Sequence, residues 1–586
     1  MSMTISHGDA GTALVVPGER TVDIADRVRR IAETDPTRVA LIHAHRLPGG
    51  RLRYRRTTYA DLSDRAERLA VGLRSVGIGE QTRCSFMVPP GFDAMALGLA
   101  LWRVGAVVVG IEPHSHGLRR VGRSLAKADP EVFIGTLQAH AARRTFGWGS
   151  ASVRRTILVS RVPLPGVVTT AALERCSVPT VPEASTIDPA DPAVIAFTTG
   201  STGAPKPTVL RQRNLAAMID NVLGHWDLGE GRDVVDMPTF PMFWIIGLAA
   251  GGTVVVPPMD FALHGPGDAD PALLLRTIRD CGVRSMFASP ALLTNLARYA
   301  ADHGGGPIGV RRIVAGGAEV PGPLFAAVRS VLGPDGELYS DYGATEALPV
   351  TEIAGAEVVA DTWPRTEQGA GVCVGRPLPD VEVRIVGIDD GPIASWDDAR
   401  PLPAGTVGEV VARGPHISEG YDRQPRADAE NKIAAGDGRT WHRLGDTGYL
   451  DAGGRLWVCG RRSHRVVVDE HTTVFPLCCE PVANAVTGVA RSALVALEGA
   501  DGKTSAVLCI EPVDAACDRP ALGREVLARL GQVEAGRAVS RVAFVDRLPV
   551  DRRHNAKLDR PRIAAIVAAL PPEAILDRPV AGVGAP

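Results

Sequence analysis

A mixed α/β fold is predicted for this chain: a large amino-terminal body of layered sheets with covering helices, a β-rich subdomain within it, and a small α+β carboxyl-terminal domain. Three observations lead there. Helical and strand-like patterns alternate between residues 58 and 315, short strands with turns take over from about residue 370, and past Gly460 a further unit of about 125 residues carries two strands and a helix.

Taken in order, Tyr59, Leu62, Ala66, Leu69 and Leu73 recur at helical spacing. Residues 84–88 read as an apolar strand, 94–104 as an apolar helix, and 106–110 as extended. The alternation resumes with strands at 193–198, 253–256, 285–288 and 312–315 and helices at 214–222 and 271–280. Residues 381–386, 408–411 and 455–458 are the short strands of the β-rich part; 492–497, 505–510 and the helical 520–530 belong to the last unit. A hinge is expected at Gly460-Arg461, and the Pro/Gly-rich stretch 571–586 is expected to be a flexible tail. The expected domains are therefore 1–459, with the β-rich subdomain at about 370–459, then 460–570, then the tail.

A chain of 586 residues exceeds what one core organises. Its net charge of -2 and 22% charged residues provide no field for nucleic acid or an anionic membrane, leaving a small-molecule partner. Nine cysteines without a C-x-x-C pair indicate neither a zinc site nor a disulfide framework, which fits a reducing cytoplasm. Residues 1–19 lack the basic start and apolar stretch of a secretion signal. The apolar run 243–258 contains Gly247, Gly251 and Gly252 and is shorter than the roughly 20 residues of a membrane span, so it reads as a buried helix, turn and strand.

The sharpest chemical signal is Thr198-Thr199-Gly200-Ser201-Thr202-Gly203-Ala204-Pro205-Lys206, directly after an apolar strand. Flexible backbone N–H groups, hydroxyls and one ammonium are the inventory that wraps polyphosphate oxygens. The spacing is not that of a Walker A loop. This loop resembles the phosphate loop of the superfamily of acyl-CoA synthetases, nonribosomal adenylation domains and beetle luciferases, the ANL adenylate-forming enzymes. The likeness spans nearly the whole chain. Thr58-Tyr59-Ala60-Asp61-Leu62 and Arg103-Val104-Gly105-Ala106 look like its early elements, and Tyr342-Gly343-Ala344-Thr345-Glu346 is similar to its Tyr-Gly-x-Thr-Glu motif. Gly445-Asp446-Thr447-Gly448-Tyr449 resembles its ribose-binding element, Gly460-Arg461 its hinge, and 548–557 the segment delivering a catalytic lysine, here Lys557.

The resemblance implies ATP and Mg²⁺ as cofactors and an AMP-forming ligase with a mobile carboxyl-terminal lid. Thr198, Thr199, Gly200, Ser201, Thr202, Gly203 and Lys206 would hold the phosphates, Tyr342 the adenine and Asp446 the ribose. Gly316, Gly317, Ala318, Gly343 and Arg461 are further nucleotide positions. Thr345 would touch phosphate, Glu346 hold Mg²⁺, and Lys557 bridge acid and α-phosphate. Phe243, Trp244, Gly247 and Ala344 would line the acid pocket.

Longer stretches, among them Pro238-Thr239-Phe240-Pro241, Ala288-Ser289-Pro290-Ala291-Leu292-Leu293, 369–375 and His554-Asn555-Ala556-Lys557, look like the β-lactone synthetases of bacterial olefin biosynthesis. That branch implies a long-chain β-hydroxy acid closed by its own hydroxyl. Residues 466–473 contain no glycine where CoA ligases usually carry one, which speaks against a CoA tunnel. Two departures stand beside this. Trp244, Ile245 and Ile246 place bulk where a long chain needs room, and Pro207 follows Lys206 in place of glycine, removing a backbone donor. A smaller acid keeps open an ATP-dependent diazotase that activates nitrite for an arylamine, and an acyl- or aryl-CoA ligase; a non-catalytic nucleotide-binding protein is the reading from another class.

Overall fold

The computed structural model describes residues 22–111, 117–176, 187–198, 205–226, 233–261, 265–304, 306–499, 502–550 and 558–578. The alternation read from the sequence becomes two sheets packed through a common core. One sheet has six strands, in the order Arg155–Leu158, Val132–Gly135, Arg83–Met87, Val107–Gly110, Pro192–Phe197 and Pro207–Arg211, all parallel but the last pair. The other has fourteen strands and runs from Leu52–Thr58 at one edge to Glu382–Val386 at the other.

Helix Tyr59–Ser75 starts where Thr58 and Asp61 form a reciprocal capping box, each side chain accepting from the other's backbone N–H at 3.1 Å. Its expected apolar stripe, Tyr59, Leu62, Ala66, Leu69 and Leu73, is buried. The Tyr59 hydroxyl donates to the Leu248 and Gly252 carbonyls at 2.9 and 2.8 Å, tying this helix to the apolar run 243–258. That run is the helix Trp244–Ala249 followed by the strand Thr253–Val256. No described helix is long and apolar enough to cross a membrane. Helix Phe92–Arg103 is buried from Ala94 through Arg103. It is apolar on all sides because its cluster draws residues from both sheets, Leu41 and Val254 from one and Cys84 and Ala196 from the other.

The β-rich part expected from about residue 370 has the predicted strands, Glu382–Val386, Gly408–Arg413 and Leu456–Arg461. They do not form a sheet of their own. Val372–Pro377 pairs with both Ala347–Ala354 and Leu456–Arg461, so the hydrogen-bond ladder continues from the parallel body into the antiparallel region. Gly375 makes the crossing possible: at φ 89°, a Cβ there would lie 1.8 Å from the Glu352 carbonyl oxygen.

The last unit holds a four-stranded sheet, Val489–Glu498, Thr504–Pro512, Val539–Phe544 and Ile575–Asp577, with Arg519–Gln532 and Arg560–Ala568 as helices. One expectation is corrected here. Of the supposed tail 571–586, Ile575–Asp577 is the edge strand, because Ile575 and Leu576 alternate against Ala543 and Val542 and Asp577 meets Arg541 Nε at 2.8 Å. Residues 579–586 lie outside the described residues.

Candidate active site

The Tyr342-Gly343-Ala344-Thr345-Glu346 segment sits at the tip of the hairpin formed by Glu337–Ala344 and Ala347–Ala354. A Cβ at Gly343 would come within 2.4 Å of the Ala347 carbonyl oxygen, so the turn requires glycine. The Tyr342 hydroxyl donates to Asp446 Oδ2 at 2.7 Å, and Arg461 Nε lies 3.2 Å from Asp446 Oδ1. Register places the second contact, since Asp446 and Arg461 are partners across the Thr440–Leu450 and Leu456–Arg461 pair. Gly460 and Arg461, expected at a hinge, thus end a strand. Burial and the neighbouring carboxylate raise the Tyr342 phenol well above its ordinary value, so it remains a donor.

Lys206 leads into the strand Pro207–Arg211, and Thr198 directly follows the antiparallel partner Pro192–Phe197. Thr198 N–H donates to the Lys206 carbonyl at 3.0 Å and Lys206 N–H to Thr198 Oγ1 at 3.3 Å, closing the neck of the loop between them. Thr199, Gly200, Ser201, Thr202 and Gly203 lie outside the described residues, as does Lys557. Lys206 Nζ donates to Asn431 Oδ1 at 3.2 Å. Glu346 is buried at 7% exposure and accepts from the Tyr421 hydroxyl at 2.6 Å. Burial pushes the ammonium of Lys432 down to about 8, still charged at neutral pH, and holds His442 neutral.

All of these groups but Lys432 line one crevice of about 2350 Å³. Of the expected residues, Thr198, Lys206, Gly316, Gly317, Ala318, Tyr342, Gly343, Ala344, Thr345, Glu346, Asp446, Arg461, Phe243 and Trp244 line it. Gly247 does not. Its helix turns it onto Val254 and Asp236, where an added Cβ would sit 3.0 Å from the Val254 side chain. The carboxyl-terminal domain contributes His464, kept neutral by burial with its value near 4, and Arg560, paired with Glu480 at 2.5 and 2.9 Å. Glu319 follows Ala318 into the same space, where burial and Glu480 push its carboxyl up to about 7.

The apolar end is built from aromatic rings. Phe243 stacks on Phe287 at 3.9 Å, and Trp244 stacks on Trp102 at 6.1 Å. Ile246, expected to crowd the acid, is turned into the core, while Val88, Gly98 and Trp102 line the crevice beside Trp244. Sequence reasoning missed Tyr421, Asn431, Lys432 and Glu319. The Ser418-Glu419-Gly420-Tyr421-Asp422 stretch is polar with a glycine and reads as a turn; only pairing against distant strands exposes its place.

The neck closed by Thr198 and Lys206, a tyrosine on a carboxylate that an arginine also holds, and one buried glutamate around an apolar-ended crevice fit an enzyme that activates a small-molecule acid with a nucleotide. The chain belongs to the AMP-binding enzyme family, whose model matches residues 28–422, and it is an AMP-forming ligase of the ANL superfamily. It is 39% identical to the olefin β-lactone synthetase of Stenotrophomonas maltophilia, covering 94% of this chain and 99% of that one. The olefin β-lactone synthetase of Xanthomonas campestris is 37% identical over 92% of this chain and 97% of its own. Among solved structures, the amide bond synthetase McbA from Marinactinospora thermotolerans superposes with a TM-score of 0.74 at 25% identity, covering 93% of this chain and 99% of that one. ATP-bound MatB from Rhodopseudomonas palustris shares the fold, with a TM-score of 0.70 at 20% identity, covering 93% and 99%.

Proposed function

We propose that this enzyme adenylates a long-chain β-hydroxy acid and closes it to a β-lactone. The observation that carries the substrate class is the apolar lining of the crevice around Trp244, from Phe243, Phe287, Val88, Gly98 and Trp102. An apolar wall of this kind offers nothing to an anion as small and polar as nitrite. The likeness to two olefin β-lactone synthetases over nearly their full lengths points the same way. The hairpin Val466–Val467 and Thr473–Val474 has no glycine, which supports a second step without CoA.

In this reading Thr198 to Lys206 hold the β- and γ-phosphates, Tyr342 lies against adenine, and Asp446 accepts from the ribose hydroxyls. No described cluster offers three His, Cys, Asp or Glu ligands. One carboxylate, Glu346, beside phosphates suits Mg²⁺, which keeps waters and takes few protein ligands. Bound there, Mg²⁺ would neutralise phosphate charge. Lys557 approaches the acid and the α-phosphate; a carboxylate oxygen attacks phosphorus, the bond to the β-phosphate breaks, and pyrophosphate leaves. The β-hydroxyl oxygen then attacks the acyl carbon, its proton passes to solvent or a crevice base, and AMP departs. Intramolecularity favours that closure.

The test is pyrophosphate release and product mass across β-hydroxy acids of rising chain length, aromatic acids, and nitrite with an arylamine, each with and without CoA. A CoA thioester or a diazo product would overturn the lactone assignment. Asp446→Ala is expected to weaken ATP binding by about 2 kcal/mol, roughly 30-fold, by calorimetry; unchanged affinity would remove Asp446 from the site. Trp244→Ala is expected to shift the preferred acid by several carbons toward longer chains in kcat/KM, because it opens the wall toward Met95 and Phe261. An unmoved chain-length optimum would return Trp244 to the core.

A further inference from the structure

The segment Ser418 to Asp422 runs between the two halves of the phosphate end. Val209 N–H donates to the Gly420 carbonyl at 3.1 Å and Asp422 N–H to the Pro207 carbonyl at 2.8 Å, stapling the segment to the strand that follows Lys206. On its other side, Ser418 N–H donates to the Glu346 carbonyl at 2.8 Å. Asp422 is anchored by Arg83 at 2.7 and 2.8 Å, and Tyr421 N–H by Asp428 Oδ1 at 2.7 Å. The backbone of Tyr421 is therefore held against both motifs at once.

Its side chain uses that position. The hydroxyl donates to Glu346 Oε1, and the Lys206 and Lys432 ammoniums lie 5.3 and 5.5 Å from the ring centre, within cation-π range. Lys432 also donates to the Ser418 carbonyl. A buried carboxylate with one neutral donor is costly unless cations compensate it, and these two lysines do so. Tyr421 takes Oε1, while Oε2 receives no hydrogen bond among the described residues.

Resting on the reading of Glu346 as the Mg²⁺ carboxylate, we infer that Tyr421 is a positioning residue for the metal. Its hydroxyl fixes the rotamer of Glu346 and leaves Oε2 for the cation, and its ring holds Lys206 and Lys432 as flanking charges. A lysine here acts with opposite signs on the two parts of the ligand. Both favour the triphosphate, and Lys432 repels the metal.

The experiment is calorimetric binding of ATP to the full-length protein in EDTA and in Mg²⁺, which isolates the metal-dependent gain in affinity without any turnover. Tyr421→Phe keeps the ring and removes the hydroxyl; it is expected to cut the gain about tenfold, with affinity in EDTA within about twofold of wild type. Lys432→Met is expected to do the reverse, raising the gain about threefold while weakening ATP in EDTA. This opposite sign separates positioning from a loss of fold, which lowers both, and it carries the test alone should Tyr421→Phe not fold. Glu346→Gln is the reference and is expected to abolish the gain. The inference is overturned if Tyr421→Phe keeps the wild-type gain while Glu346→Gln loses it, or if Lys432→Met lowers the gain. If Glu346→Gln itself keeps the gain, the metal assignment falls first and the inference with it.

Discussion

Replacing Lys557 with alanine is expected to slow pyrophosphate release about 100- to 1,000-fold while ATP binding stays close to wild type. A carboxylate attacking the α-phosphate brings two anions together, and charge grows on the equatorial oxygens as the bond forms. An ammonium that reaches both groups acts mainly in the transition state, so its loss falls on kcat and leaves the ground-state complex. The structure shows how the following residues are rooted. Asp559 N–H donates to the Pro549 carbonyl at 2.9 Å, and Arg560 is clamped on Glu480 and the Leu494 carbonyl. Rapid-quench measurement of the first turnover checks this, and an unchanged burst of pyrophosphate would dismiss Lys557 from the step.

The second large effect concerns stability. Glu409→Ala should lower unfolding stability by about 3–5 kcal/mol, seen as a drop on the order of 10 °C in the melting transition of the body. Glu409 and Arg443 pair at 2.6 Å with side chains 0% and 1% exposed, and Arg462 reaches Glu409 from just past the strand ending at Arg461 at 3.3 Å. Removing the carboxylate leaves two cations without their partner, one of them on the strand that bears Asp446. Calorimetric scanning of the variant beside Glu409→Gln decides it. A melting point within about 2 °C of wild type would show that Arg443's carbonyl partners, Asp389, Gly391 and Glu430, suffice.

Much of this protein is legible along the chain because its signals are local. The stripe from Tyr59 to Leu73, the strands at Ser285–Ala288 and Arg312–Ala315, and the glycine at 343 each follow from spacing or from backbone geometry within a few residues. The site motifs are legible for a related reason: each is a short segment of distinctive composition, such as Tyr342 to Glu346 and Gly445 to Tyr449. What failed was set at long range. The β-rich region was expected as a subdomain within the body, and only the pairing of Thr351 with Pro377 and Glu352 with Arg376 shows its strands continuing the body sheet. Gly247 was expected at the acid, but the helix beginning at Trp244 turns it onto Val254.

Residue order alone therefore specified the class of chemistry, the fold class and the ends of most elements, since periodicity, capping and motif composition are properties of neighbours in the chain. Folding decided which distant groups meet. The contact of Tyr421 with Glu346, 75 residues apart, and of Lys206 with Asn431, 225 apart, depends on strand register and on burial, which makes each polar group find a partner. No local pattern encodes such a meeting, because its energy exists only once water has been excluded from the space between the strands.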